Sequence, residues 1–444
     1  MPQIKPENLS TRLDDPSFTP VARVLAAGKG RFKVRGWIKR KRDQKGKIFF
    51  VFRDASGEMQ VVVDEARVSK EDYGLAGKLQ MESSVFFEGE ARADERAPGG
   101  AELHVSSVTP VWVGKEFPIQ KDLSEDFLLD VRHLWLRSGR MGAALRVRAG
   151  VHQAFRDFMA AKGYREIHNP SFVSGAVEGG STLFEVPYFG KKVFLTQSGQ
   201  FYNEAYVFGL ERIWGIAPSF RAEKSRTRRH LTEFWHAEME AAWMQLPELI
   251  DFCQEMVVSI AQDAREKFPN ELKLLGRDPN DLKRVDKPFE RFTYRKILEA
   301  AKEKFPDLRF GSDLGEAEER EITKDFTKPI VVTHYPASLK PFYHRPNPAD
   351  EETVLCCDFL APEGYGEIIG GGERCWTLDE VVGRMKAEKL DPKAYEWYLD
   401  LRRYGAVPHS GFGLGLERLT TWLCKLPHIR EVIGFPRTMN RFYP

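Results

Sequence analysis

The stretch FRAEKSRTRRHLTEFWHAEMEAAW, Phe220 to Trp243, decides the fold, because it reads as two extended runs joined by a basic loop. Before it, Ile213, Ile216 and Phe220 stand among β-favouring neighbours. After it, Phe234, His236, Glu238 and Glu240 alternate with Trp235, Ala237, Met239 and Ala241, which is the period of a strand with two different faces. The intervening KSRTRRHLTE is long for a hairpin turn, and a solvated loop is the ordinary fate of such a segment. Arg221 and Glu223, two apart, are expected on one strand face, which sets them apart from turn decoration. An arginine on a rigid strand suits a phosphate that must be gripped with fork geometry, whereas a lysine supplies a point charge.

Working outward, the chain of 444 residues exceeds one ordinary core and predicts two domains. Lys plus Arg number 67 against 65 for Asp plus Glu, so a nucleic-acid partner has to be met by a local patch. The polar start MPQIKPENLSTRLDD lacks the apolar centre of a signal peptide and no run is long enough to span a bilayer, which predicts a cytoplasmic protein without a membrane partner. The five cysteines, Cys253, Cys356, Cys357, Cys375 and Cys424, have no zinc-ligand spacing and are too few and too odd for a disulfide framework. Buried thiols are expected.

The densest basic run is Lys29 to Lys47, where cations alternate with Phe32, Val34, Trp37 and Ile38 as on a strand with one buried and one charged face. IFFVFRD, the turn ASGE and MQVVVD read as a hairpin; ESSVFFEGEARA and AELHVSSVTPVWVG supply two more strands. About five strands in roughly a hundred residues, curled by Gly36 and Gly57, predict a small OB barrel. A basic face can simply solubilise, but with the candidate surface ring Phe49 it points to single-stranded nucleic acid. Nearer the C-terminus, VLCCDFLAPEGYGEIIGGGER brings Asp358 and Glu367 onto two strands of one hairpin, and paired hard oxygens are what Mg2+ requires. In GFGLGLER, Gly411, Gly413 and Gly415 leave one strand face bare for a flat ring, and Leu419, Trp422, Leu423 and Leu426 follow at helical spacing.

FRxE, a basic loop and RHLTEF resemble motif 2 of the class II aminoacyl-tRNA synthetases, aspartate and asparagine subgroup. KGYREIHNPSF, Lys162 to Phe172, is similar to motif 1, and GFGLGLER, Gly411 to Arg418, to motif 3; three motifs in family order are far more specific than any one. The resemblance implies an α+β chain: a five-stranded OB anticodon-binding domain over 1–115, a hinge over 116–140, and a catalytic domain over 141–444, an antiparallel sheet flanked by helices. RHLWLR resembles the hinge, with Trp135 where the family usually has an acid. Motif 1 implies a homodimer. In the barrel, the resemblance assigns Phe49 to stack on an anticodon base, Gln60 to bond the central uridine, and Arg40 and Arg42 to hold phosphates.

For ATP the resemblance implies Arg221, Ala222, Glu223, Arg229, His230, Leu231, Phe234, Glu367, Gly415, Leu416, Glu417 and Arg418, with Arg221 and Arg418 as the catalytic cations and Glu367 and Asp358 holding Mg2+. For the amino acid it implies Glu178 in the EGG loop, Ser198, Gln200, Glu204, Arg221 and Arg374. Substrate choice is read from LTQSGQFYNEAY, Leu195 to Tyr206. Aspartate enzymes carry a sequence like SPQLYKQ there; in this chain Asn203 stands at the Lys position, Glu204 follows, and Gly199 replaces the Pro. A carboxylate accepts from an amide NH2 and repels a carboxylate, so Glu204 is expected to favour L-asparagine and asparagine tRNA as substrates. The alternatives are an aspartate-charging enzyme, discriminating or not, and a synthetase-derived asparagine synthetase, which the retained barrel disfavours. Residues 245–330 carry no expected chemistry, and the acidic run Glu316 to Glu321 reads as a solvated helix face.

Overall fold

The computed structural model describes residues 14–119, 123–175, 182–225 and 227–444. Two compact units divide between Glu125 and Asp126. The first is a closed barrel of Gly30–Gln44, Lys47–Arg53, Glu58–Asp64, Ser84–Ala93 and Ala101–Trp112, with the helix Lys70–Lys78 inserted before the fourth strand. Strand alternation sends Val34, Ile38, Phe50, Phe52, Val61 and Phe87 inward to its core. Gly36 is obligatory at the bend: a Cβ there would lie 2.1 Å from the Arg53 carbonyl.

The second unit is built on an eight-stranded sheet, antiparallel in its middle, with a parallel pair at each edge. The expected hairpin is its centre: Arg212–Phe220 pairs with Glu233–Ala242 from Phe220 opposite Glu233 to Arg212 opposite Ala241. Beside it run His409–Gly415, then Gly366–Glu373 and Cys356–Ala361. Ala237, Met239, Phe412, Leu414 and Ile369 turn to one face, where they pack on the helices Gly139–Ala161, Leu246–Lys267 and Leu416–Leu423. All five cysteines are buried and free. Of the segment 116–140, the short helix Arg132–Trp135 folds with this unit: buried Arg132 donates to the carbonyls of Arg430, Ile433 and Gly434 at 2.6, 2.8 and 2.8 Å.

The other face carries the alternate residues His236, Glu238 and Glu240 against the bare strand of Gly411, Gly413 and Gly415. Here the reason for the glycines differs from the expected ring platform. A Cβ at Gly411 would meet Glu240 Oε2 at 2.1 Å, and one at Gly413 would meet His236 Nε2 at 2.3 Å, so both make room for cross-strand side chains of the protein itself. Gly411→Ala is therefore expected to destabilise the catalytic unit by about 1–3 kcal/mol, the usual cost of overpacking. Urea unfolding followed by tryptophan fluorescence measures it, and an unchanged midpoint would show that Glu240 yields freely.

Candidate active site

Two connected hollows open on the glycine face. A tight recess of about 90 Å³ is lined by Arg221, His230, Phe234, Glu367 and Arg418. A broader cleft of about 800 Å³ is lined by Ser198, Gln200, Lys340, Tyr343 and Arg374, and Arg221, His236, Glu367 and Gly413 face both.

Arg221 and Glu223 are the first and third residues beyond the strand, so the shared strand face expected of the pair is replaced by a loop. The loop is nevertheless fixed. Arg221 N–H donates to the Thr232 carbonyl at 3.0 Å and Ala222 N–H to the Thr182 carbonyl at 2.8 Å. The Arg221 guanidinium lies 5.7 Å from the Phe234 ring centroid and 3.7 Å from the Glu223 carboxylate.

At the far wall Arg418 Nη1 donates to Glu367 Oε2 at 2.8 Å, while its Nη2 faces His230 Nε2 at 3.4 Å. A guanidinium only donates, so Nε2 accepts and the imidazole proton sits on Nδ1, facing the Thr227 and Ser225 hydroxyls. Burial, with Arg418 and Arg229 beside it, pushes His230 down to about 4. At that value the ring of the unliganded protein is neutral near pH 7. Arg229 is likewise engaged, by buried Glu319, whose Oε2 also accepts Glu367 N–H at 2.7 Å. Glu319 lies in the run read as a solvated face. Nothing in its local pattern distinguishes it from Glu318, since only the fold turns it toward Arg229. For Glu367, burial alone would raise the carboxyl, but Arg418, Lys340 and Arg229 hold it at about 2.

Asp358 and Glu367 do converge. A Cβ on Gly370 would lie 3.2 Å from Glu367 Oε1 and 3.4 Å from Asp358 Oδ1. Lys340 Nζ bonds both Asp358 oxygens at 2.7 Å, a cation that sequence reading missed. These two carboxylates, each already paired with a cation, are the hard oxygens that would hold a Mg2+ beside phosphate.

At the inner end of the cleft Arg374 clamps Glu240 through Nε at 2.9 Å and Nη2 at 3.1 Å. Glu238 accepts from the Ser198 hydroxyl and, at 2.8 Å, from Gly199 N–H, so its charge sits at the N-terminus of the helix Gln200–Leu210. Gly199 has no room for a proline ring or any Cβ: one would meet Asn169 Nδ2 at 2.0 Å. Asn203 is buried and accepts from Asn169 Nδ2 at 2.7 Å.

Glu204 is where the structure departs most from the sequence reading. It is fully buried and does not line the cleft. Its Oε1 accepts from Gln200 Nε2 at 2.9 Å and the Tyr398 hydroxyl at 2.8 Å; its Oε2 accepts from Arg402 and from His409 Nε2 at 2.9 Å. A carboxylate has about four lone-pair sites, and the protein fills them. No direct bond to a substrate amide remains available. Of the other expected residues, Leu416 is buried in the helical core, and Glu417 is occupied by Arg148 at 2.7 Å and Trp235 N–H at 3.0 Å. Leu231 and Gly415 line or border the recess. Glu178 lies outside the described residues.

On the barrel, Arg42 stands opposite Phe49 across two strands, its guanidinium 5.0 Å from the ring centroid, with Arg40 exposed two residues away. Gln60 Nε2 donates to Glu102 at 2.7 Å, which orients its carboxamide.

Residues 124–439 match the family described as tRNA synthetases class II (D, K and N), and residues 32–111 match the OB-fold nucleic acid binding domain. The chain belongs to the class II tRNA synthetases. It is 48% identical over 414 residues to an asparagine–tRNA ligase of Thermoplasma acidophilum, covering 93% of this chain and 96% of that one. Among solved structures it resembles the asparaginyl-tRNA synthetase of Pyrococcus horikoshii complexed with asparaginyl-adenylate, with a TM-score of 0.93, 45% identity, and 96% and 99% of the two chains covered. An Entamoeba histolytica asparaginyl-tRNA synthetase in complex with asparaginyl-adenylate matches at TM-score 0.84 and 30% identity, over 93% and 96% of the chains.

The depressed His230 carries a pH signature. Its unfolded form binds a proton near pH 6.5 and its folded form near 4, so stability is whole above pH 6.5 and falls as pH drops toward 4. Thermal unfolding of His230→Gln across this window is expected to show a shallower acid decline than the wild type. Identical slopes would mean that the ring is charged in the folded protein.

Proposed function

We propose that the chain activates L-asparagine with ATP to give asparaginyl-adenylate and pyrophosphate, then transfers the asparaginyl group to the terminal ribose of asparagine tRNA. The observation that carries this reading is the neutralised cation at the inner end of the cleft. Arg374 is clamped by Glu240, whose carboxylate accepts three hydrogen bonds and keeps one lone-pair site. Asparagine offers its amide oxygen to Arg374, whose charge Glu240 balances from behind, and an N–H to the polar cleft wall formed by Gln200 and Glu238. Aspartate would bring a second carboxylate to Arg374, whose charge Glu240 already balances, and beside Glu238, with no net positive charge to offset it. Sites that leave polar groups unpaired against the wrong substrate reach discrimination of roughly 10⁴ to 10⁵.

The chemistry needs no covalent nucleophile. The asparagine carboxylate forms a bond to the α-phosphorus as the bond to pyrophosphate breaks, and catalysis is positioning and charge stabilisation. Arg221, facing both hollows, bridges the amino acid carboxylate and the α-phosphate; Phe234 supports adenine; Arg418 meets the outer phosphates. Glu367 and Asp358 would hold Mg2+, which supplies neutralisation of phosphate charge. Glu178 we assign to the ammonium group of the amino acid.

The barrel serves as the anticodon platform. Phe49 offers a ring, Arg40 and Arg42 offer cations, and Gln60, whose Nε2 donates to Glu102, keeps its carbonyl oxygen as an acceptor for the uridine N3–H. The same reading makes the protein a cytoplasmic homodimer joined through Lys162 to Phe172, with residues 116–140 leading from the barrel to the catalytic domain.

Pyrophosphate exchange driven by asparagine and by aspartate tests the substrate. Strong exchange with asparagine and very little with aspartate is expected; equal rates would refute the asparagine assignment and leave the fold intact. For the platform, Phe49→Ala is expected to weaken tRNA binding by about 1–3 kcal/mol, the worth of one stacked base, with exchange unchanged in the absence of tRNA. A filter-binding measurement in which affinity holds while exchange falls would make Phe49 a packing residue.

A further inference from the structure

Behind the cleft lies a cluster of buried residues: Glu204, Arg402, His409 and Tyr398. Arg402 and Tyr398 come from the helix Glu396–Arg403, His409 from the start of the strand His409–Gly415, and Glu204 from one turn beyond Gln200 on the helix Gln200–Leu210. Burying four polar groups is costly unless they are paired, and these pair with one another around Glu204.

What they hold is Gln200. Its Nε2 donates to Glu204 Oε1 at 2.9 Å and to Glu240 Oε2 at 3.1 Å, which uses both N–H groups of the carboxamide. The reverse orientation would press the amide oxygen against two carboxylates, so the flip is closed. The carbonyl oxygen is thereby directed away from both acids, on a residue that lines the cleft. Glu204 cannot itself turn, because Arg402, Tyr398 and His409 occupy its other lone pairs.

We infer that Glu204 and Arg402 are positioning residues that lock the Gln200 carboxamide, presenting its oxygen as an acceptor for the amide N–H of bound asparagine. The inference rests on the asparagine reading above. It assigns Glu204 a part in selectivity without contact: the Gln200 carbonyl oxygen, an acceptor only, welcomes an NH2 group and opposes a carboxylate. With the Glu204 half of the lock removed, only Glu240 opposes rotation of the Gln200 carboxamide, and its N–H donors become available to aspartate.

Glu204→Gln alone strands the Arg402 charge and risks misfolding, so the informative protein is the double variant Glu204→Gln with Arg402→Met, in which no buried charge is left unpaired. Exchange kinetics on that variant, checked for folding by its thermal transition, are expected to show kcat/KM for asparagine falling at least about tenfold relative to aspartate. KM for ATP is expected to stay within about twofold, since none of these residues faces the nucleotide recess. A folded double variant that keeps the wild-type asparagine-to-aspartate ratio overturns the inference, as does a loss mirrored in KM for ATP, which marks a general structural role. A wild type that activates aspartate equally would refute the substrate reading itself, and the two failures are told apart by which protein shows them.

Discussion

A guanidinium and a carboxylate can be taken out of water together only if each satisfies the other, and the catalytic unit depends on that constraint at its centre. The Arg374 and Glu240 side chains are 2% and 0% exposed, and bond through two nearly parallel contacts. Removing either partner from such a pair costs about 3–5 kcal/mol, because the survivor is left charged and buried. Around it the same rule repeats: Glu204 with Arg402, Glu319 with Arg229, Asp358 with Lys340. Buried, neutralised pairs thus line and back the cleft.

The pairs explain the backbone that holds them. Polar side chains lying flat across a sheet need neighbours without Cβ atoms, as Gly411 gives Glu240, Gly413 gives His236 and Gly370 gives Glu367; Gly372, beside Gly411, makes room for the Leu355 carbonyl. The opposite face has no such need, and there Phe412, Leu414 and Met239 bury against helices. One sheet thus carries two sets of demands on alternate residues. The result is a rigid floor, and rigidity is what adenylate formation requires of a site that works by orientation.

Much of this was legible from local pattern. The alternation of Phe234 to Ala241 announced a two-faced strand, the glycines of motif 3 announced a bare one, and the inward residues Phe50 and Phe52 announced a barrel. These signals are readable because periods of two and glycine spacing are consequences of backbone geometry, which is local. Family resemblance added roles to residues such as Arg221 and Arg418, which do meet in one recess.

What the sequence could not decide was which way each charge finds its partner. Glu204 reads as a substrate contact because it follows Asn203 in a specificity segment; it is a buried support because Arg402 and His409, some two hundred positions later, close over it. Glu319 sits in an acidic run that looks solvated, and the loop residue His230 looks basic; packing buries the first against Arg229 and, beside Arg418, makes the second neutral. Sequence by itself determined the strands, the barrel and the family. Only tertiary structure decided which acids face the substrate and which serve its neighbours, because desolvation and pairing depend on contacts between residues far apart in the chain.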